Sequence, residues 1–145
     1  MLAGKAGTMM AIQFNAEFFK TFGKSFLPGE LGVEILEVGK GAVKSRMQVE
    51  KRHLAPNGYL HAASVIALAD TSAGYGCVAS LPEGAKGFTT IELKANFIGT
   101  ARDGTISCVA TAEHLGRTTQ VWSATVTDAA GKALVLFRCT QMLLR

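Results

Sequence analysis

Asp70 is the first residue whose type and setting point to chemistry. It lies midway along residues 61–80, a segment otherwise made of small or apolar side chains such as Val65, Leu68, Ala69 and Ala73. On a helix its neighbours at three and four positions are Ile66, Ala67, Ala73 and Gly74, and none of them can pair with a charge. An unpaired carboxylate in such surroundings is strongly disfavoured or takes up a proton. Two arrangements relieve it: a structural tie from a distant strand or a neighbouring subunit, or a cleft in which the acid serves a reaction. The second chemical feature is the run Asn57-Gly58-Tyr59-Leu60-His61-Ala62-Ala63, where the same helix begins. The first N–H groups of a helix lack intrahelical partners and sit at the positive end of its dipole, so they can polarise a carbonyl oxygen. His61 alone reads as a capping or packing histidine. Ala62 and Asp70 are eight residues apart, which puts them about 12 Å apart along a helix. One substrate carbonyl cannot touch both within a chain. A joint site therefore needs the Asp of a second, antiparallel copy across a two-fold axis.

The elements that must position these groups follow from periodicity. Phe14, Phe18, Phe19 and Phe22 fall at helical spacing and predict a short amphipathic helix, stopped by Gly23 and a Leu27-Pro28-Gly29 turn. The spacing assigns this stripe to core packing. Strand-like runs at 31–38 and 42–50 flank Gly39-Lys40-Gly41, a connection suited to a hairpin. In the second run Val43, Met47 and Val49 alternate with Lys44, Arg46 and Gln48, so one face is wet. Pro56 and Gly58 break the pattern before the helix at 61–80, which is apolar almost all round and hence buried. Strands follow at 88–98, 105–113, 119–127 and 133–143. The order predicts an α+β fold, an antiparallel sheet wrapped around one long helix.

A chain of 145 residues with 48% hydrophobic side chains suits one core. The expected division is a flexible N-terminus over 1–12 and a single domain over 13–145. The net charge of +4 comes from dispersed residues, which argues against nucleic acid and fits a small anionic ligand. Cys77, Cys108 and Cys139 form neither a CxxC pair nor an even set, and each lies in an apolar stretch, as expected of reduced thiols in the cytoplasm. No signal peptide and no uninterrupted bilayer-spanning run is expected. His53, His61 and His114 lack ligand spacing with Cys, Asp or Glu, so no metal is expected.

The segment Leu60-His61-Ala62-Ala63, continued by Leu68-Ala69-Asp70-Thr71, resembles the L-H-G-G and L-A-D-T pattern of hotdog-fold acyl-CoA thioesterases of the phenylacetate-degradation thioesterase-like family. The element order from about residue 15 to 143 agrees with that family. The resemblance implies a hotdog fold, a homodimer with a continuous sheet that pairs into a homotetramer, and hydrolysis of acyl-CoA without a metal. Coenzyme A is then part of the substrate, and no separate cofactor is implied. Asp70 takes the place of the catalytic acid, as general base or as nucleophile through a mixed anhydride. The Ala62 N–H takes the place of the oxyanion donor. Ala62 and Ala63 replace the family's Gly pair, and their methyl groups narrow the approach to the thioester. Asn57 matches the polar residue that places thioester or water. Thr90, with Thr89 as the alternative, matches the hydroxyl that holds the water. Tyr59 is expected beside an aromatic or medium aliphatic acyl group, and Arg117, then Lys86 and Arg102, near the CoA phosphates.

Two other readings use the same residues. Acyl-thioester hydration or dehydration would recruit His61, although Tyr75 stands where one relative of that class carries its His. A non-catalytic acyl-CoA binder would account for the alanines at the oxyanion position. CoA release separates hydrolysis from both.

Overall fold

The structure is a computed structural model that describes residues 12–145. Nearly all of the expected flexible N-terminus, residues 1–11, lies outside the described residues. Helix α1 (Ala16–Phe22) starts at Asn15, whose side chain accepts the Phe18 N–H, and stops at Gly23. The Leu27-Pro28-Gly29 turn is itself a one-turn helix, α2 (Leu27–Glu30), because Pro28 near its start sets the helical φ without needing an N–H. Strands β1 (Val33–Gly39) and β2 (Ala42–Gln48) form the expected hairpin. Helix α3 (Ala62–Ala79) follows, with His61 and Ser80 as caps. Strands β3 (Gly87–Phe97), β4 (Thr105–Leu115), β5 (Thr119–Thr127) and β6 (Ala133–Leu144) complete the chain.

Every strand pair is antiparallel, and the sheet runs β1-β2-β4-β5-β6-β3. Alternation decides which face turns inward. In β2, Val43, Ser45 and Met47 are buried while Lys44 and Arg46 point out and pair with Glu37 and Glu34 of β1. Helix α3 packs against all six strands. This is the sheet wrapped around one long helix that the sequence predicts.

Small residues let the sheet close so tightly. A Cβ on Gly76 would lie 2.4 Å from Trp122 Cη2. The indole cannot retreat, since its Nε1 donates to Gln120 Oε1 at 2.8 Å and Gln120 Nε2 donates to the Ser80 carbonyl at 3.0 Å. Ser72 donates to the Leu68 carbonyl and meets Ser45 Oγ at 2.6 Å, so the buried hydroxyls are satisfied. The three cysteines are free and buried. With 18 residues and a mean hydropathy of 1.2, α3 is long and apolar enough to match a bilayer span, where the sequence suggests none. Its apolar surface is spent on the sheet.

Gly76→Ala should therefore destabilise the fold by about 1–3 kcal/mol, measured as a lowered urea midpoint at unchanged slope. Gly39→Ala, where a Cβ would meet nothing within 4 Å, should stay within about 0.5 kcal/mol of wild type.

Candidate active site

Asp70 opens from the middle of α3 into a cavity of about 760 Å³. Five aromatic rings stand on its walls: Phe14, Phe18 and Phe22 from the N-terminal segment, Tyr75 from α3 and Phe88 from β3. The phenylalanine stripe packs against the core at Phe14, Phe18 and Phe19 as expected, and Phe14, Phe18 and Phe22 line the cavity as well. Only Phe19 is sealed in the core, stacked on Tyr75 with centroids 4.5 Å apart. Phe18 and Phe22 lie one turn apart on α1, Phe14 stands just ahead of its Asn15 cap, and the three rings face the cavity together. Gly74 brings the Phe88 ring against the helix one turn beyond Asp70, since a Cβ there would lie 2.8 Å from Phe88 Cζ.

The Asp70 carboxylate is half-buried, and no Lys or Arg lies within ion-pair distance among the described residues. Burial pushes its pKa above the ordinary carboxylate range, and the nearby Thr90 hydroxyl works against that rise. Thr90 Oγ1 is 3.5 Å from Asp70 Oδ1 and 2.7 Å from Gln141 Oε1. Thr89, the alternative for this role, is exposed on the opposite face and does not approach Asp70. A register shift between Thr90 and Glu92 marks a bulge at Ile91. A bulge beside the strand end re-aims the side chain next to it.

At the other end of α3, His61 Nδ1 accepts the Ala63 N–H at 3.0 Å, which makes His61 a capping residue with its δ nitrogen occupied. Ala62 is exposed, and its N–H has no acceptor among the described residues. Of the two alanines, Ala62 is thus the one with a donor to offer. Asn57 Oδ1 accepts the Tyr59 N–H at 3.1 Å, closing a turn on the surface. Arg102 lies over the Tyr59 ring, 4.2 Å from its centroid. The Leu60 N–H donates to the Ala101 carbonyl at 3.0 Å, which fastens the two loops together.

The site residues thus fall into two groups. Asp70 and Lys86 line the cavity, and Thr90 stands beside Asp70. Asn57, Tyr59, His61, Ala62, Ala63 and Arg102 gather at the helix entrance and do not line it. Arg117 is exposed in the β4–β5 loop, and its carbonyl accepts Arg145 Nη2 at 2.7 Å. Arg145 Nη1 also reaches the Glu83 carbonyl at 3.3 Å, so this terminal arginine ties the Arg117 loop to the cavity rim. Arg145 and Gln141 are additions to the residues singled out from sequence. Gln141 had a signal: period-two alternation puts it on the same face as Phe137, Cys139 and Leu143, where an amide is out of place.

Chemically, one end of the helix offers a free N–H at a positive dipole and the middle offers a desolvated base in an apolar pocket. Residues 57–135 match the family described as the thioesterase superfamily. The chain is 34% identical over 110 residues to a 1,4-dihydroxy-2-naphthoyl-CoA hydrolase of Listeria monocytogenes, covering 76% of this chain and 89% of that one. It is 29% identical over 131 residues to the Escherichia coli hydrolase of the same description, covering 88% and 93%. Among solved structures, a thioesterase from Haemophilus influenzae superposes with a TM-score of 0.86 at 27% identity, covering 92% of this chain and 93% of that one.

The raised Asp70 pKa has a consequence for stability. Its folded-state value lies above the unfolded one, so the native state is favoured most when the acid is protonated. That advantage disappears as pH rises through the folded pKa. Asp70→Asn should accordingly raise Tm at pH 7.5. The gain over wild type should shrink toward zero as thermal melts are taken down to about pH 4, the unfolded carboxylate range.

Proposed function

Because this chain belongs to the thioesterase superfamily and is a thioester hydrolase with the hotdog fold, we propose that it hydrolyses an aryl-CoA, with medium-chain acyl-CoA as the secondary class, using Asp70 as general base. The observation that carries this is the Asp70 carboxylate, without a cation partner among the described residues, on a cavity walled in part by aromatic rings. A fused or single aromatic ring fits walls made of Phe14, Phe18, Phe22 and Phe88, because offset and edge-to-face ring packing adds to area burial. The relatives named for a naphthoyl-CoA thioester are consistent with an acyl group of that kind.

In the proposed reaction the thioester carbonyl oxygen lies against the partner's helix entrance, where Ala62 supplies the free N–H. Asp70 of this chain takes a proton from water held near Thr90, and the oxygen attacks the carbonyl carbon. The tetrahedral oxyanion is stabilised by the Ala62 N–H and the helix dipole. Collapse breaks the C–S bond, and the proton on Asp70 returns to the CoA thiolate. The elevated basicity of a desolvated carboxylate suits it to the first step, and its protonated form to the last. Lys86 on the cavity wall, with Arg117 and Arg102 outside it, would meet a nucleotide's phosphates as they run into solvent.

The dimer in this proposal is supported by the open edge of the sheet. Strand β3 is terminal, and Ile91, Leu93, Phe97 and Ile98 on or beside it are exposed. An apolar edge of that length is covered in a stable protein, and a two-fold copy of itself is the natural partner. Exposed Val109, Leu136 and Met142 on the sheet provide for a dimer of dimers. Burial pushes the Cys77 and Cys139 thiols up to about 12, which suits stable free thiols in the cytoplasm.

Asp70→Asn should lower kcat by about 10²–10⁴-fold on 1,4-dihydroxy-2-naphthoyl-CoA, benzoyl-CoA and octanoyl-CoA while the protein stays folded; equal rates for variant and wild type would remove Asp70 from the chemistry. Ala62→Pro deletes the N–H at a position where proline suits a helix, and His61 already has the extended backbone that precedes proline, with φ −71° and ψ 135°. Both variants should be inactive alone. Mixed and reassembled, they should recover about a quarter of wild-type activity, because half the dimers are mixed and each holds one intact composite site. No recovery would place both groups in the same chain's site.

A further inference from the structure

Across β5, β6 and β3 the register sets Gln120 opposite Gln141 and Gln141 opposite Thr90. The three form a polar row on the sheet face covered by the second half of α3. Both glutamines are completely buried. Gln120 is spent on Trp122 and the Ser80 carbonyl. Gln141 places Oε1 2.7 Å from Thr90 Oγ1 and Nε2 3.4 Å from Cys139 Sγ.

A threonine hydroxyl has one proton. Thr90 has two acceptors in reach, Gln141 Oε1 at 2.7 Å and Asp70 Oδ1 at 3.5 Å. A hydroxyl that donates to a carboxylate closes to about 2.5–2.7 Å, and the Asp70 contact is far longer. The Gln141 contact sits at the usual O–H···O distance. The proton therefore lies toward Gln141, and the lone pairs of Thr90 Oγ1 face Asp70.

We propose that Gln141 is a positioning residue for hydrolysis: by holding the Thr90 proton it makes that hydroxyl an acceptor, so that one water donates to both Asp70 and Thr90 and aims its free lone pair at the thioester carbon. This rests on Asp70 acting as the base. The water passes one proton to Asp70 and keeps the other bonded to Thr90, the oxygen bonds to carbon, and the C–S bond breaks with the Asp70 proton going to sulfur. Other titratable groups around Asp70 are few. Tyr75 of α3 lines the same cavity, Glu83 and Lys86 stand on its rim, and β6 presents the Cys139 thiol with Glu92 of β3 near it. Cys108 of β4 faces Ser72 and Ser45, the charges of β1 and β2 are exposed, and β5, α1 and α2 bring no charge to the carboxylate.

The test is a ¹³C NMR titration of the Asp70 carboxyl in the resting protein, run beside the pH profile of kcat/KM. The set comprises wild type, Gln141→Met, Gln141→Leu, Thr90→Val and the Thr90→Val/Gln141→Met double variant. Freed from Gln141, Thr90 turns its proton onto Asp70. In both Gln141 variants the carboxyl pKa and the acid limb of kcat/KM should then move down by about 0.5–1, with kcat about 10-fold lower. Thr90→Val should leave the carboxyl within about 0.3 of wild type and should abolish the shift in the double variant. An unmoved carboxyl in both Gln141 variants, or a marked rise in Thr90→Val, would show that Thr90 already donates to Asp70 and would overturn the proposal. Failure of the base assignment shows separately, as full activity in Asp70→Asn, while the titration still decides the hydrogen bond.

Discussion

A carboxylate on a helix enclosed by a sheet is the constraint around which the rest of this molecule is arranged. The desolvation of Asp70 opposes folding and raises basicity by the same physical effect, since both measure how poorly the surroundings replace water around the charge. A neighbouring arginine would relieve the strain and remove the base. An opening to solvent would do the same more gently. The structure takes neither course: it gives the carboxylate an aromatic cavity and a hydroxyl at 3.5 Å. The cost is met by the remainder of α3, whose small residues let Trp122, Phe88 and all six strands close on it.

In the proposed mechanism the length of that helix calls for a second copy. Asp70, its proposed base, sits on the third turn and the unsatisfied N–H groups at the first residues, about 12 Å apart along the axis. Neither group can be moved without losing what makes it useful. A base at the entrance would be solvated, and a donor in the middle would already be bonded within the helix. Two antiparallel copies bring the two positions together, and the uncovered β3 edge supplies the surface on which such copies can meet. Oligomerisation is on this view part of the chemistry, because the fold cannot place both groups on one thioester by itself.

Much of this was legible in the chain. The caps, the apolar helix and the alternation in 42–48 come from local patterns, and the structure follows them to within a residue or two. Asp70 was visible because a charge violates the pattern around it. What sequence left open depends on contacts between distant segments. The choice of Thr90 over Thr89 turns on strand phase, displaced by the Ile91 bulge, and one residue of slip exchanges the two faces. The Phe14, Phe18 and Phe22 stripe has the same spacing whether it faces a core or a cavity, and only the position of α1 decides between them. Of the basic candidates, only Lys86 reaches the cavity wall; Arg102 is committed to Tyr59 and Arg117 stands on a loop tied by Arg145.

The buried glutamines follow from the same constraint. Replacing Gln141 and Thr90 by apolar residues of similar shape would leave the core no less stable, since a pair of buried hydrogen-bonding groups contributes little net energy over an apolar pair. What the pair supplies is direction. A hydroxyl whose proton is already held has only one way to meet an incoming water, whereas a free hydroxyl would rotate onto the nearest carboxylate. Gln120 performs the parallel task for the Trp122 indole, which fixes the neighbouring strand against α3. A row of two amides and a hydroxyl across three strands thus orients both the packing of the helix and the polar group nearest its acid, which is a function that an apolar core of equal stability could not perform.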